Sequence, residues 1–214
     1  MNENKIEILS VDLLDQHRLV VNDLRDLAIK VREDFGWHYL LDLVWIIDQL
    51  PVKRNAKILD AGAGVGIMQW YLAEKNVDVF SVDRGSRAKL NMKFRSRYKV
   101  SGLREDDLLP HISAIKENLI SASDLPNLTR RVGRNLVSLF RLFLPADGGG
   151  DVILYNQDLK SLLDIEDNSM DAVVAVSALE HNSPDDLRLV VNELFRVLKP
   201  GGKLVATLGA GEKE

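Results

Sequence analysis

The chain has 214 residues, 46% apolar and 28% charged, with a formal net charge of −4, a balance that suits a globular protein able to bury a core. It has no cysteine, which excludes disulfides and thiolate metal sites; its four histidines show no paired H-x-x-x-H spacing, so no metal is expected. No run of 18 apolar residues is present to span a membrane, and the polar start Met1-Asn2-Glu3-Asn4-Lys5 lacks a signal-peptide apolar core, so a cytoplasmic protein is the simplest expectation.

Residues 12–49 read as helical. Leu19, Leu24, Leu27, Ala28 and Val31 give one apolar face at helix spacing. Phe35-Gly36-Trp37-His38-Tyr39 follows, then a second apolar helix from Leu40 to Leu50 that Pro51 should stop. Residues 1–55 are expected as a helical cap on a domain spanning 56–214.

Lys57-Ile58-Leu59-Asp60-Ala61-Gly62-Ala63-Gly64-Val65-Gly66-Ile67 reads as a buried strand, an acid and a glycine turn that opens into a helix. Such a turn lets a ligand lie against bare backbone, and the helix offers free N–H groups. A second apolar strand, Val77 to Val82, ends at Asp83, where an acid is placed to hold ribose hydroxyls. The pattern implies a nucleoside cofactor. A dinucleotide fingerprint, G-x-G-x-x-G/A, fails: Ile67 or Gln69 stands at its third glycine. A pyrophosphate would also be repelled by Asp60, whereas a cationic ligand would not. A nicotinamide oxidoreductase is therefore the weaker alternative.

Residues 84–150 then intervene, far more than one crossover needs. They hold 13 Lys/Arg against 6 acids, a net +7, leaving −11 for the rest of the chain. Within them, 127–144 reads as a basic amphipathic helix. Leu128, Val132, Leu136, Leu139, Phe140 and Phe143 follow 3–4 spacing, with Arg130, Arg134 and Arg141 on the other side. Three readings stay open: a cap helix packed on the body with a solvated basic face, a lid whose arginines (Arg130, Arg134) meet an anionic substrate, or a membrane-surface helix. Overall acidity and the lack of interleaved aromatics argue against nucleic acid.

Strands are expected at 151–155, 171–176 and 203–208, and a helix at 185–198 capped by Asn182-Ser183-Pro184-Asp185. The motifs Asp151–Leu159, Met170–His181 and Leu194–Leu204 follow the glycine turn in fixed order. Together these segments, over roughly 56–83 and 151–208, resemble the class I S-adenosylmethionine (SAM)-dependent methyltransferases, in particular the small-molecule "type 11" group. The resemblance implies an α/β, Rossmann-like doubly wound parallel sheet of order 3-2-1-4-5, with N-terminal helices and a helical insertion at about 88–148. The family's usual last two strands have no counterpart, which raises a homodimer or a longer chain as contexts.

The resemblance implies SAM as the cofactor. Asp60, Gly62, Ala63, Gly64 and Gly66 would face its methionine end, Asp83 and Arg84 its ribose, Asp158 its adenine amino group and Leu159 the ring. Ala178 and Leu179 would line the methyl channel, with Ser177 among the cofactor-binding residues. Trp37, His38 and Tyr39 are candidates for a lid, against a plain helix start packed on the sheet. His181, with Glu180, is the candidate base, since imidazole titrates nearest neutrality; a structural hydrogen bond is the alternative. The absence of cysteine excludes a covalent cysteine route, as in cytosine C5 methylation, and thiolate capture of arsenic. Ala178-Leu179-Glu180-His181 stands where amino-methylating DNA and glutamine enzymes carry an Asn/Asp-Pro-Pro-Tyr/Phe tetrapeptide. The expected acceptor is a small molecule or a lipid- or glycan-linked one, methylated on oxygen or nitrogen and potentially anionic. A SAM-binding module without turnover of its own is the alternative.

Overall fold

The computed structural model describes residues 4–50, 53–121 and 125–209; Pro51, expected as a helix stop, lies outside them. Three helices precede the first strand: α1 (Asp12–Gln16), α2 (Arg18–Val31) and α3 (Trp37–Gln49). The inward face of α2 carries Val21, Leu24, Leu27, Ala28 and Val31. Leu19, expected there, is 82% exposed. It precedes Val21 by two residues, about 200° around the helix, and so points the other way.

The strand–turn–helix–strand unit is β1 (Lys57–Ala61), α4 (Ile67–Glu74) and β2 (Asp78–Asp83). Helix α4 is buried from Ile67 through Ala73, because α2 packs on one side and the sheet on the other. Residues of α2, α3, α4 and the strands share one apolar core. Trp70 stacks on Phe94, with ring centroids 4.6 Å apart, and lies 4.9 Å from the Tyr98 ring. This cluster ties the long insertion to the sheet.

The insertion folds as α5 (Met92–Arg95), β3 (Lys99–Gly102), a short 3₁₀ turn (Glu105–Asp107), α6 (His111–Ile120) and α7 (Leu125–Arg141). After it come β4 (Asp151–Asn156), β5 (Met170–Val176), α8 (Pro184–Val197) and β6 (Leu198–Thr207). The sheet is wholly parallel, in the order β3-β4-β2-β1-β5-β6. The five expected strands take the 3-2-1-4-5 arrangement. The sixth, β3, is a strand added within the expected helical insertion: Lys99 to Gly102 pair with Asp151 to Leu154. Four residues, two of them polar or charged, carry too short an alternation to stand out.

Between β5 and β6 the register runs Met170↔Leu198 and then Ala172↔Lys203. The Lys199-Pro200-Gly201-Gly202 segment therefore bulges out of the ladder, and regular pairing resumes at Lys203, where the strand was expected to begin. Ser183 caps α8, its side chain accepting from the Asp186 amide at 3.2 Å.

Much of the insertion's positive charge is consumed internally. Arg87 and Arg95 are buried, 6% and 5% exposed. Arg95 donates to the carbonyls of Leu90, Ala88 and Leu109 at 2.7, 2.7 and 2.5 Å, stapling the loops around α5. Arg97 and Arg141 both pair with Asp147, Lys93 with Glu33, and Lys89 with Glu117. Helix α7 forms as expected but in a different orientation. It packs on α5 and α6 through a face that buries Asn135, while Val132, Leu136, Phe140 and Phe143 are exposed. Helix α7 thus packs on the insertion with Arg130 and Arg134 solvated, and much of its apolar stripe is exposed as well.

Candidate functional site

The glycine turn sits where β1 meets α4, at the carboxyl end of the sheet, where open α/β sheets bind ligands. Gly62 has φ +77°, and a Cβ there would lie 2.5 Å from the Ala178 Cβ. The loop after β5 therefore packs directly on bare backbone, and a side chain at 62 is excluded by both conformation and space. At Gly66 a Cβ would come within 2.6 Å of the Tyr39 hydroxyl, so Tyr39 packs against the N-terminus of α4; burial raises its own pKa.

Asp83 ends β2. Its Oδ2 accepts from the Gly64 amide at 2.9 Å and its Oδ1 from the Gly85 amide at 2.6 Å. The carboxylate therefore fixes the turn while remaining on the wall of a cavity of about 360 Å³, lined by Gly62, Asp83, Arg84, Asp158, Leu159, Ser177, Ala178, His181 and Asn182. That volume falls within the ~300–1,000 Å³ range of small-molecule sites. Eight of these nine residues are among those expected from the sequence. Asn182 was read only as part of the α8 cap. Asp158 accepts from the Lys160 amide at 2.9 Å, which holds its loop at the cavity edge.

Other expected residues lie elsewhere. Asp60 is 2% exposed and sits beneath the turn, off the cavity wall. Burial raises its pKa to about 7; Arg87 opposes this and Asp83 adds to it. Ala63, Gly64 and Gly66 form the turn without bordering the cavity. Glu180 is exposed, and its Oε1 accepts from the Gly209 amide at 3.2 Å. Trp37 and His38 are exposed at the start of α3, their rings 3.4 Å apart. Arg130 and Arg134 lie exposed on α7 and do not border the cavity.

A buried polar network supports the turn from below. Arg87 donates to the Gly64 carbonyl at 3.1 Å, to the Ser81 carbonyl at 2.6 Å and to the Ser81 hydroxyl. The Ser81 hydroxyl donates to Gln69 Oε1 at 2.7 Å, and Gln69 Nε2 donates to the Gly66 and Gly64 carbonyls at 3.0 and 3.3 Å. Ser81 is in register with Asp60 across β1 and β2, so a carboxyl, a hydroxyl, an amide and a guanidinium meet under one loop. The sequence carried a signal for this network: Gln69 interrupts Ile67–Ala73 and Ser81 interrupts Val79–Val82, both apolar runs. A polar residue inside such a run must find a partner. Arg87 gave no such signal, being one of 13 basic residues in its segment.

Ser177, also on the cavity wall, adopts φ +44° directly after β5. Strained non-glycine residues of this kind concentrate at functional sites. Its hydroxyl donates to Asp42 Oδ2 at 3.0 Å, and its amide donates to the Thr207 hydroxyl at 3.2 Å. Asp42 of α3 is half-buried. Desolvation raises its pKa, the Ser177 and Thr207 hydroxyls counter this, and Glu180 adds to it. The N-terminal helices thus reach the site through Asp42 and Tyr39. Among the described residues no cluster of side chains could hold a metal ion.

Residues 134–206 match the family model described as "methyltransferase domain"; the match starts in α7 and runs through β4, β5 and α8 into β6, so the glycine turn lies outside it. No curated protein matches the chain in sequence. Similar solved structures include a TehB-like SAM-dependent methyltransferase from Corynebacterium glutamicum, with 18% identity and TM-score 0.44, over 92% of this chain and 74% of that one. A SAM-dependent methyltransferase from Methanosarcina mazei shows 22% identity and TM-score 0.41, over 75% of this chain and 55% of that one. The YcgJ protein of Bacillus subtilis shows 19% identity and TM-score 0.42, over 77% and 49%. This chain thus spans about half the length of the last two. Residues 134–206 of this chain are thus similar to a methyltransferase domain.

Proposed function

We propose that the chain is a SAM-dependent methyltransferase whose cofactor occupies the cavity between the glycine turn and the loop after β5. One observation carries this reading: bare backbone at Gly62 and the carboxylates of Asp83 and Asp158 border a single cavity of about 360 Å³. The residues fit the group. Asp83 uses one acceptor site on each oxygen for the turn, which leaves lone pairs on both for a pair of ribose hydroxyls. In this proposal Asp158 would accept from the adenine amino group and Leu159 would face the ring, with Arg84 beside the ribose. Ser177 and Ala178 complete the wall beside Gly62.

Asp60 takes a supporting part in this proposal, holding the turn with Gln69, Ser81 and Arg87. When bound, the cofactor supplies a methyl group already activated on sulfonium. The protein's share is therefore orientation and removal of water. His181 borders the cavity and is proposed to take the proton when the acceptor is a hydroxyl or a protonated amine. The acceptor class proposed is a small molecule or a lipid- or glycan-linked one. Transfer of a labelled methyl group from SAM to a panel of such acceptors tests the activity. His181→Gln should lower kcat about 10²–10⁴-fold and leave S-adenosylhomocysteine affinity unchanged. Binding without transfer to any acceptor would leave a SAM-binding module, and an unaltered kcat would remove His181 from the proton's path.

A further inference from the structure

We propose that α7 docks the protein on an anionic lipid surface. A surface helix of a globular protein turns its apolar stripe inward, whereas in α7 Leu128 and Leu139 are half-buried and the rest of the stripe is exposed. Val132, Leu136, Val137 and Phe140 are 41%, 52%, 62% and 74% exposed, and Phe143 just beyond the helix is 86% exposed. The buried position is a polar one, Asn135, whose amide donates to the Asn118 side chain of α6 at 3.3 Å. Arg131, on the same side, donates to the Asn118 carbonyl and the Ser121 hydroxyl. Polar contacts to α6 therefore hold the helix with its apolar strip facing outward.

The occupant is indicated by charge. Arg130 and Arg134 are exposed and, seven and three residues before Val137, share its edge of the helix. Among the described residues neither forms an ion pair, although Lys89, Lys93, Arg97, Arg104 and Arg141 of the same insertion all do. An apolar strip bordered by unpaired arginines fits an interface of acyl chains and anionic headgroups. The chain as a whole is acidic, and its insertion is where +7 is concentrated. No described helix is long and apolar enough to cross a membrane, so α7 would lie in the plane of the interface.

Co-sedimentation with vesicles tests this, using phosphatidylcholine alone and phosphatidylcholine mixed with phosphatidylglycerol. The protein should partition onto the mixed vesicles only, and added salt should release it. Arg130→Gln with Arg134→Gln should lower partitioning about thirtyfold, from ~1 kcal/mol per arginine near such a surface. Phe140→Asp should abolish it. Because Phe140 is exposed, that variant should keep its circular dichroism and its S-adenosylhomocysteine affinity, which separates failure here from failure of the cofactor assignment. Absence of partitioning, or equal partitioning on both vesicles, would overturn the proposal. So would lipid-free self-association that Phe140→Asp abolishes, since a second copy would then cover the face.

Discussion

Replacement of Gly62 by alanine is the sharpest local test, because its cost divides into two parts that other variants separate. The new methyl would sit 2.5 Å from the Ala178 Cβ, against an optimum of about 3.5–4.0 Å between carbons. Relieving that overlap in a packed site costs about 1–3 kcal/mol. A side chain at φ +77° adds about 1–2 kcal/mol. Gly62→Ala should thus destabilise the protein by about 2–5 kcal/mol and weaken S-adenosylhomocysteine binding, since the cavity wall must shift. Gly201→Ala is the control: Gly201 has φ +82° but nothing within 4 Å of an added Cβ, so only the conformational part applies. Ala178→Gly removes the other partner of the overlap. In Gly62→Ala/Ala178→Gly, the steric part should return as a favourable coupling of about 1–3 kcal/mol. Urea denaturation of the four-member cycle, with unchanged m-values, measures it. Additive effects would refute the direct packing of the β5 loop on the glycine turn.

Asp83→Ala should weaken S-adenosylhomocysteine binding by about 1–3 kcal/mol, the cost of polar partners left unpaired, and calorimetry giving wild-type affinity would remove Asp83 from the ribose site. The Asp60 carboxyl titrates near 3.8 in the unfolded chain and near 7 in the folded one. Between those values the folded state keeps a proton that the unfolded chain has released. Its contribution to stability therefore declines as pH rises, by about 1.4 kcal/mol per unit, and levels off above 7. Asp60→Asn should lack that decline, gaining on the wild type from pH 4 to 7; parallel stability–pH curves would contradict the burial argument. Arg87→Leu leaves the Ser81 and Gly64 carbonyls and the Asp60 carboxyl without their cation. It should cost about 3–5 kcal/mol, and a loss under 1 kcal/mol in denaturant titration would show that the network supports nothing.

The central strands and the cavity at the glycine turn were legible because their signals are local. Buried parallel strands read as apolar runs such as Ile58-Leu59 and Val173-Val174-Ala175-Val176. The glycine turn and the acids at strand ends stand at fixed offsets from them, so eight of the nine cavity residues could be named in advance. What the sequence hid depends on tertiary placement. The strand Lys99–Gly102 forms because β4 offers an edge for it. Arg87 and Arg95 looked like surface charge until the loops around α5 wrapped them in carbonyls. The α7 pattern correctly gave a helix, yet periodicity identifies an apolar face without saying what it meets. Asp60 followed the motif but ended beneath the turn, because the last strand residues before the loop are already inside the sheet.

The most direct test of the account is calorimetric titration with S-adenosylhomocysteine, with NAD as the control. Micromolar binding of S-adenosylhomocysteine alone is predicted, since Asp83 and Asp158 border a cavity whose glycine turn lacks the dinucleotide spacing. Binding of NAD, or of neither compound, would contradict the cofactor assignment on which the proposed activity rests.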